Sequence, residues 1–381
     1  MSSNENSEGY EVCMDIVETM ARIFNARRLV EVRSVHISGI SYQNIGDAGL
    51  EWIEELSESV KFRVKATVNP AGMDIERWKE MGITPEFYEK QMRILKALKR
   101  MGARLEMSCV PYYFERLKCG DRIAWAESNA VIYANSVIGA RTNRESGITA
   151  IASAVTGLTP EYGMHLDENR TPDVAVKVEL SREGDAALAG CIVGRIECDV
   201  PYLIPKVEMK ESELKAIGAA MAASGGKAMF HVEGQTPEWD NYEKPEAIEV
   251  VSEEDVREMR EELSPTETPD LVAIGCPHAY AGEIVRISRF VDKEKFRIPV
   301  WVFTCRRLLR NEAIRLAVEK IERAGGKVFC DTCMVVSPAT EQFDYVMVDS
   351  GKALTYLPKL RGVRVCFGGL EECLRVAVSG L

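Results

Sequence analysis

Three cysteines of this chain, Cys109, Cys276 and Cys333, stand just beyond stretches that read as buried β-strands. The stretches are Leu105-Glu106-Met107-Ser108, Leu271-Val272-Ala273-Ile274-Gly275 and, a few residues upstream of the last cysteine, Gly326-Lys327-Val328-Phe329. Thiolates at such positions suit an iron–sulfur cluster, and their number decides its use. Four protein thiolates saturate a cluster for electron transfer, whereas three on a cubane leave one iron open to act as a Lewis acid on a substrate hydroxyl. Three therefore points to dehydration chemistry.

Taken singly, each signal has a plainer reading beside it. Cys276 lies in Ile274-Gly275-Cys276-Pro277-His278, a tight turn in which Pro277 removes an N–H; it is a cluster ligand or an ordinary buried thiol. His278 alone reads as a loop residue. Cys109, in Ser108-Cys109-Val110-Pro111, repeats the strand-then-proline form. Cys330-Asp331-Thr332-Cys333 is a C-x-x-C, compatible with a redox pair, half a zinc site or cluster ligation. No second C-x-x-C supports zinc, and no helix opens directly after a thioredoxin-like strand, so ligation by one of the two remains; spacing does not say which. Cys13, Cys119, Cys191, Cys198, Cys305, Cys366 and Cys373 read as packing thiols. Glu127-Ser128-Asn129 precedes a helix whose free N–H groups suit an anion, with Ser128 equally readable as a cap. Arg141 and Arg144 suit a carboxylate or phosphate clamp or simple salt bridging, and Lys352 an anion or solvent.

The elements that must position these residues alternate between helix and strand. A helical face at Val12, Ile16, Met20, Ile23 and Phe24 precedes a strand from Leu29; a helix over Asp47–Ser59 precedes alternation at Phe62, Val64, Ala66 and Val68; a helix over Glu86–Met101 precedes a strand through Leu105, Met107 and Cys109. Small-residue helices follow at 129–140 and 147–157, then expected strands at Val174–Leu180 and Ala187–Val193. From Leu271 the alternation resumes: strand to Cys276, helix 281–291, strand 298–304, helix 311–325, then strands to Cys330, over 345–348 and over 363–367, and a helix over 370–378. This predicts an α/β chain of residues 1–235 in two closely joined subdomains, a Pro-rich linker 236–270 with one helix capped by Ser252-x-x-Asp255, and a doubly wound unit 271–381. Ligands bind beyond the carboxyl ends of such strands. Gly39-Ile40-Ser41, Asn69-Pro70, Cys109, Cys276, Cys333 and Ser350-Gly351-Lys352 all fall at those ends.

Composition limits the alternatives. A net charge of −11 with no basic, aromatic-interleaved cluster argues against nucleic-acid binding. Eleven cysteines in 381 residues, about 3%, fall short of a disulfide scaffold. Four histidines argue against a His-rich metal site. No apolar run approaches a membrane span, and Met1 to Tyr10 read as a short frayed leader without a secretion signal, so a cytoplasmic protein is expected.

Longer strings carry a family resemblance: Ser34-Val35-His36-Ile37-Ser38-Gly39-Ile40-Ser41-Tyr42, Ile45-Gly46-Asp47-Ala48-Gly49-Leu50, Glu127-Ser128-Asn129-Ala130, Ala134 through Glu145, Gly275-Cys276-Pro277-His278 and Asp349-Ser350-Gly351-Lys352. Together they resemble the aconitase X family from about Val35 to the end of the chain. The resemblance implies an aconitase-like catalytic unit of two to three doubly wound subdomains around a central cleft, with a [4Fe-4S] cluster on Cys109, Cys276 and Cys333. It also implies substrate contacts from Gly39, Ile40, Ser41, Asn69, Pro70, Glu127, Ser128 and Lys352. A chain of this length without a fused swivel domain is similar to archaeal members that dehydrate (R)-5-phosphomevalonate to trans-anhydromevalonate 5-phosphate for isoprenoid synthesis. Those members work as heterodimers with a small swivel-domain subunit, whose serine is the expected base. Loss of water is hard because hydroxide leaves poorly and the C2 proton is weakly acidic; an open iron that chelates hydroxyl and carboxylate addresses both. The bacterial pattern, dehydration of cis-3-hydroxy-L-proline, is the alternative, and a non-catalytic iron–sulfur or zinc scaffold a distant third that would need a fourth ligand.

Overall fold

A parallel strand covered on both faces shows little alternation of polar and apolar residues, and most strands here are of that kind. In the computed structural model, which describes residues 7–291 and 294–380, they form three parallel sheets, one in each of three α/β units.

In the first unit, strand Ser34–Ile37 is buried throughout and lies between Lys65–Val68 and Ala124–Trp125. Helix Glu8–Ile23 packs on helix Gly147–Thr156. Of the frayed leader expected over residues 1–10, residues 1–6 lie outside the described residues, and Glu8 to Tyr10 already belong to the helix. Ser7 caps it by accepting the Tyr10 N–H, with Glu8 and Glu11 in the first turn where the helix dipole favours them. The next helix runs over Tyr42–Ser59, earlier than expected, with a break at Gly46 (φ 58°, ψ −160°) that hides its first turn from the periodicity. Helix Pro85–Met101 is capped by Thr84 and ended by Gly102 at φ 110°.

The strand expected through Leu105–Cys109 does not form. Arg104 N–H bonds to Ala66 O and Ser108 N–H to Val68 O, so four residues of this segment oppose two of its neighbour, and Met107 absorbs the excess at φ 48°. Cys109 therefore sits on a bulged segment.

The second unit has strands in the order His231–Val232, Pro201–Pro205, Val174–Val178, Ile248–Val251. Ala187–Val193, expected as a strand, lies inside helix Asp185–Arg195. That helix packs closely on Glu211–Ser224 through Gly190 and Gly194 and is buried on nearly every side, so it carries no helical stripe to read. Residues 236–270 hold the helix capped by Ser252, Glu253–Leu263, and also the edge strand Ile248–Val251 of this sheet.

In the third unit the strands follow the order Lys327–Cys330, Val300–Thr304, Leu271–Ile274, Tyr345–Val348, Arg364–Phe367. The chain order reverses between Leu271–Ile274 and Tyr345–Val348, which makes the crevice beyond these two strands the topological switch point. Helix Gly351–Arg361 starts there; Pro358 within it masks it in the sequence. No helix among the described residues is long and apolar enough to cross a membrane.

Candidate active site

The loops at the carboxyl ends of the first and third sheets face one another. Ala71, just past Asn69-Pro70, donates its N–H to Asp331 O at 2.7 Å, which ties the first unit to the Cys330–Cys333 turn. Cys276 follows Gly275, held at φ 101° where a Cβ would collide with Phe303 O. The Ser350 hydroxyl donates to Cys276 O and caps the helix carrying Lys352, so both loops of the switch point are fastened together. Cys109 O accepts from Asn129 Nδ2 at 2.7 Å, and Cys109 Sγ accepts the His278 backbone N–H at 3.2 Å. The His278 ring donates Nε2–H to Thr332 O at 2.7 Å. Set aside in the sequence as a loop residue, His278 thus links all three cysteine-bearing segments.

Burial pushes the Cys109 thiol up to about 12 and raises Cys276 and Cys333 as well, while the Lys352 ammonium opposes the rise at all three. Cys276 also feels Cys333 and Cys109, and Cys109 feels Cys333. Cys330 belongs to a different neighbourhood: burial, then Asp331 and Asp74, raise it, with Arg306 opposing and Cys305 nearby.

Lys352 ion-pairs with Glu127 and donates to Asn129 Oδ1 at 2.7 Å. Burial alone would raise Glu127, yet the Lys352 charge and hydrogen bond, with Arg144 and His36, bring it down to about 2. Glu127 Oε2 accepts from Asn69 Nδ2 at 2.8 Å and from Ser38 Oγ at 3.2 Å; Oε1 accepts from Ser128 Oγ at 3.2 Å. Gly39 holds φ 75° in the loop after the central strand, and a Cβ on Gly147 would stand 2.7 Å from Ser38 O, so helix Gly147–Thr156 closes tightly on that loop. A Cβ on Gly72 would reach Ser41 Oγ at 2.8 Å, which places Ser41 beside the loop after Asn69-Pro70. Ile40 and Pro70 are buried in the same two loops.

Of the two candidate clamp residues, Arg141 turns to Asp167, Glu238 and His165 O, whereas Arg144 reaches Tyr356 Oη at 3.4 Å and acts on Glu127. Sequence reasoning passed over Ser38, Asn129 and His36. A signal existed for the last, since a histidine inside an otherwise apolar buried strand must find partners.

The donors fit a cubane cluster: three buried thiols on three separate loops, an ammonium to offset thiolate charge, and a backbone N–H already on one sulfur. Ser41 Oγ, His278 Nδ1 and Thr332 Oγ1 are buried without a hydrogen-bond partner among the described residues. No three His, Cys, Asp or Glu side chains among those residues are grouped as ligands of one metal ion; in a cubane each thiolate serves its own iron. A separate cleft of about 640 Å³ between the second and third units, lined in part by Arg182, Lys210, Arg286 and Asp349, adjoins a 50 Å³ hollow that reaches Cys276 and Ser350.

Comparison with known proteins agrees with this arrangement. Models of the aconitase X first, second and third domains match residues 1–168, 172–264 and 269–379. The phosphomevalonate dehydratase large subunit of Methanosarcina mazei is 43% identical over 99% of this chain and 95% of its own length. That of Methanothermobacter thermautotrophicus is also 43% identical, over 98% and 96%. The cis-3-hydroxy-L-proline dehydratase of Pseudomonas aeruginosa is 32% identical over 99% of this chain but only 68% of its own. The crystal structure of Thermococcus kodakaraensis aconitase X (holo-form) superposes with a TM-score of 0.89 at 35% identity, covering 98% of this chain and 97% of that one. With its fold, its strand-end loops and all three domain models in agreement, the chain belongs to the aconitase X family.

Proposed function

We propose that this chain is the large subunit of a hydro-lyase that removes water from (R)-5-phosphomevalonate to give trans-anhydromevalonate 5-phosphate in the mevalonate pathway. Its cofactor is a [4Fe-4S] cluster held by Cys109, Cys276 and Cys333, and its partner a small swivel-domain subunit in the cytoplasm. The observation that carries the reading is the meeting of three buried thiols with the Glu127–Lys352 pair, in a chain that matches large-subunit relatives over nearly its whole length. When bound, the cluster supplies a Lewis acid for the departing hydroxyl.

The chain's own residues bind and orient the substrate. Lys352 spends two of its three N–H donors on Glu127 and Asn129, and the third is available to a substrate oxygen. Its buried ammonium suits a carboxylate or phosphate, since charge attraction strengthens where water is excluded. Glu127 stays ionised and acts as an acceptor that holds Asn69, Ser38 and Ser128 in place. Gly39, Ile40 and Ser41, with the Ser41 hydroxyl, face the substrate from one loop and Asn69 and Pro70 shape the adjoining one, and together they fix its orientation. The base that takes the C2 proton comes from the small subunit, so the isolated chain is inactive.

The test is co-expression with the small subunit, anaerobic reconstitution with iron and sulfide, and assay on both candidate substrates. Turnover of phosphomevalonate and not of cis-3-hydroxy-L-proline is expected. Turnover of hydroxyproline alone would overturn the substrate assignment.

A further inference from the structure

His36 lies in the middle of the central strand of the first sheet, fully buried, one layer behind the loops assigned above to substrate. Its Nδ1 is 2.8 Å from Thr67 Oγ1 and its Nε2 3.3 Å from Asn69 Oδ1. Trp125 packs edge-on against the ring at 6.0 Å. Hydrogen-bond chemistry fixes the direction of every bond in this row.

The ionised Glu127 carboxylate can only accept, so the Asn69 atom 2.8 Å from it must be the NH2 group, which also donates to Ser38 Oγ at 3.0 Å. The Asn69 carbonyl oxygen therefore faces His36, and Nε2 must carry the hydrogen that it accepts. Burial lowers the His36 pKa to about 4, with Glu127 and Asn69 opposing, so the ring is neutral and has no second N–H. Nδ1 then accepts from the Thr67 hydroxyl, whose single hydrogen goes to this 2.8 Å contact and not to Val35 O at 3.4 Å. The result is a one-way row: Thr67 to His36, His36 to Asn69, Asn69 to Glu127, with Lys352 donating to Glu127 from the other side.

We infer that His36 is a positioning residue for the dehydration, its Nε2–H tautomer locking the Asn69 amide so that the NH2 group holds Glu127 and the amide cannot turn over toward the substrate. A flipped amide would put its oxygen against the Glu127 carboxylate and leave His36 Nε2–H facing an NH2 group. A protein that needs Asn69 in one orientation gains from a neighbour whose tautomer allows no other. The inference rests on the assignment of Asn69 and Glu127 to the substrate site.

The experiment has two arms, on the full chain and on its complex with the small subunit. In the full chain labelled with ¹⁵N-histidine and ¹⁵N-asparagine, His36 is expected as the neutral Nε2–H tautomer from pH 6 to 8. The Asn69 side-chain resonance should move in His36→Leu and return toward its original position in His36→Gln, whose amide can place a donor where Nε2 stands. In the reconstituted complex, His36→Leu should lower kcat/KM by about 10- to 100-fold, with His36→Gln recovering most of the loss. An Nδ1–H or charged ring, an Asn69 resonance indifferent to His36→Leu, or a His36→Gln variant as impaired as His36→Leu would overturn the inference. A wild-type complex inactive on phosphomevalonate would instead overturn the substrate assignment, and the labelled chain would still decide the bond directions.

Discussion

Two charge clusters built on buried carboxylates join the first unit to the third, and each stands beside cysteines. In one, Lys352 of the third unit meets Glu127 of the first, next to Cys109, Cys276 and Cys333. In the other, Arg306 of the third unit meets Asp74 of the first at 2.6 Å, its own unit's Asp331 at 2.6 Å and the more exposed Glu76, next to Cys330 and Cys305. The ingredients are alike and the charge balance is not. A single carboxylate faces the Lys352 ammonium, whose pull on the three thiols outweighs the push of Glu127, whereas carboxylates outnumber the Arg306 guanidinium and act on Cys330 more strongly than it does. The two sites shift their acids in opposite directions: Glu127 falls to about 2, while burial pushes Asp331 up to about 6 although Arg306 opposes it. Thiolate ligands need the first kind of surroundings and are disfavoured in the second. The contrast thus favours Cys333 over Cys330, only three positions apart, as the proposed ligand, where their spacing could not.

The largest effect that could break this contrast is loss of the proposed cluster. Cys109→Ser, Cys276→Ser and Cys333→Ser are each expected to abolish the visible absorbance after anaerobic reconstitution, together with activity, whereas Cys330→Ser keeps both. Loss of absorbance in Cys330→Ser alone would move the metal site to the Arg306 cluster. Next comes Lys352→Met. Removing one partner of a buried pair leaves Glu127 charged and unpaired, at a cost of about 3–5 kcal/mol in denaturant unfolding. Reconstitution should fail with it. If Glu127→Gln added to Lys352→Met does not restore part of the stability, the two residues are not coupled as described.

How much of this was legible in the sequence differs between the same regions. In the third unit, apolar runs bounded by glycine, proline and polar turns mark each strand and place Cys276 and Lys352 at strand ends, but that their two strands are neighbours at the switch point is set by the sheet order, which the runs do not carry. In the first unit the position of Cys109 was legible but not its conformation, because a bulge set by two backbone hydrogen bonds leaves no mark on the pattern of residue types. Ala187–Val193 reads as a strand, though it lies in helix Asp185–Arg195, for the opposite reason: a helix covered on nearly all sides has no polar face to betray its period. The Arg306 cluster was invisible. Asp74, Arg306 and Asp331 meet only through the tertiary fold, and nothing in their local sequence sets them apart from solvated charges.

That cluster gives the third test. Arg306→Met leaves Asp74 and Asp331 without their cation and should cost about 1–3 kcal/mol, partly spared because Asp74 also accepts the backbone N–H groups of Glu76, Arg77 and Cys330. Cluster assembly and turnover should stay near those of the wild type. Failure of reconstitution in this variant would mean that the two charge clusters are not independent.

The smallest expected effect tests the sign of the contrast. Because the folded state holds the Asp331 proton more tightly than the unfolded chain does, from an ordinary value of 3.8 up to about 6, its contribution is fully present at low pH and is lost as pH rises between those values. Asp331→Asn keeps the neutral, acceptor-bearing form at every pH, and asparagine tolerates the left-handed backbone at this position, φ 63°. Urea unfolding should therefore show the variant gaining on the wild type as pH rises from 4 to 7, by about 1–2 kcal/mol after the weakened bond to Arg306 is counted against it. A gain on acidification would place Asp331 with Glu127, as an acid held ionised by its neighbours, and would remove the reason for treating the Cys330 side of the turn as hostile to a thiolate.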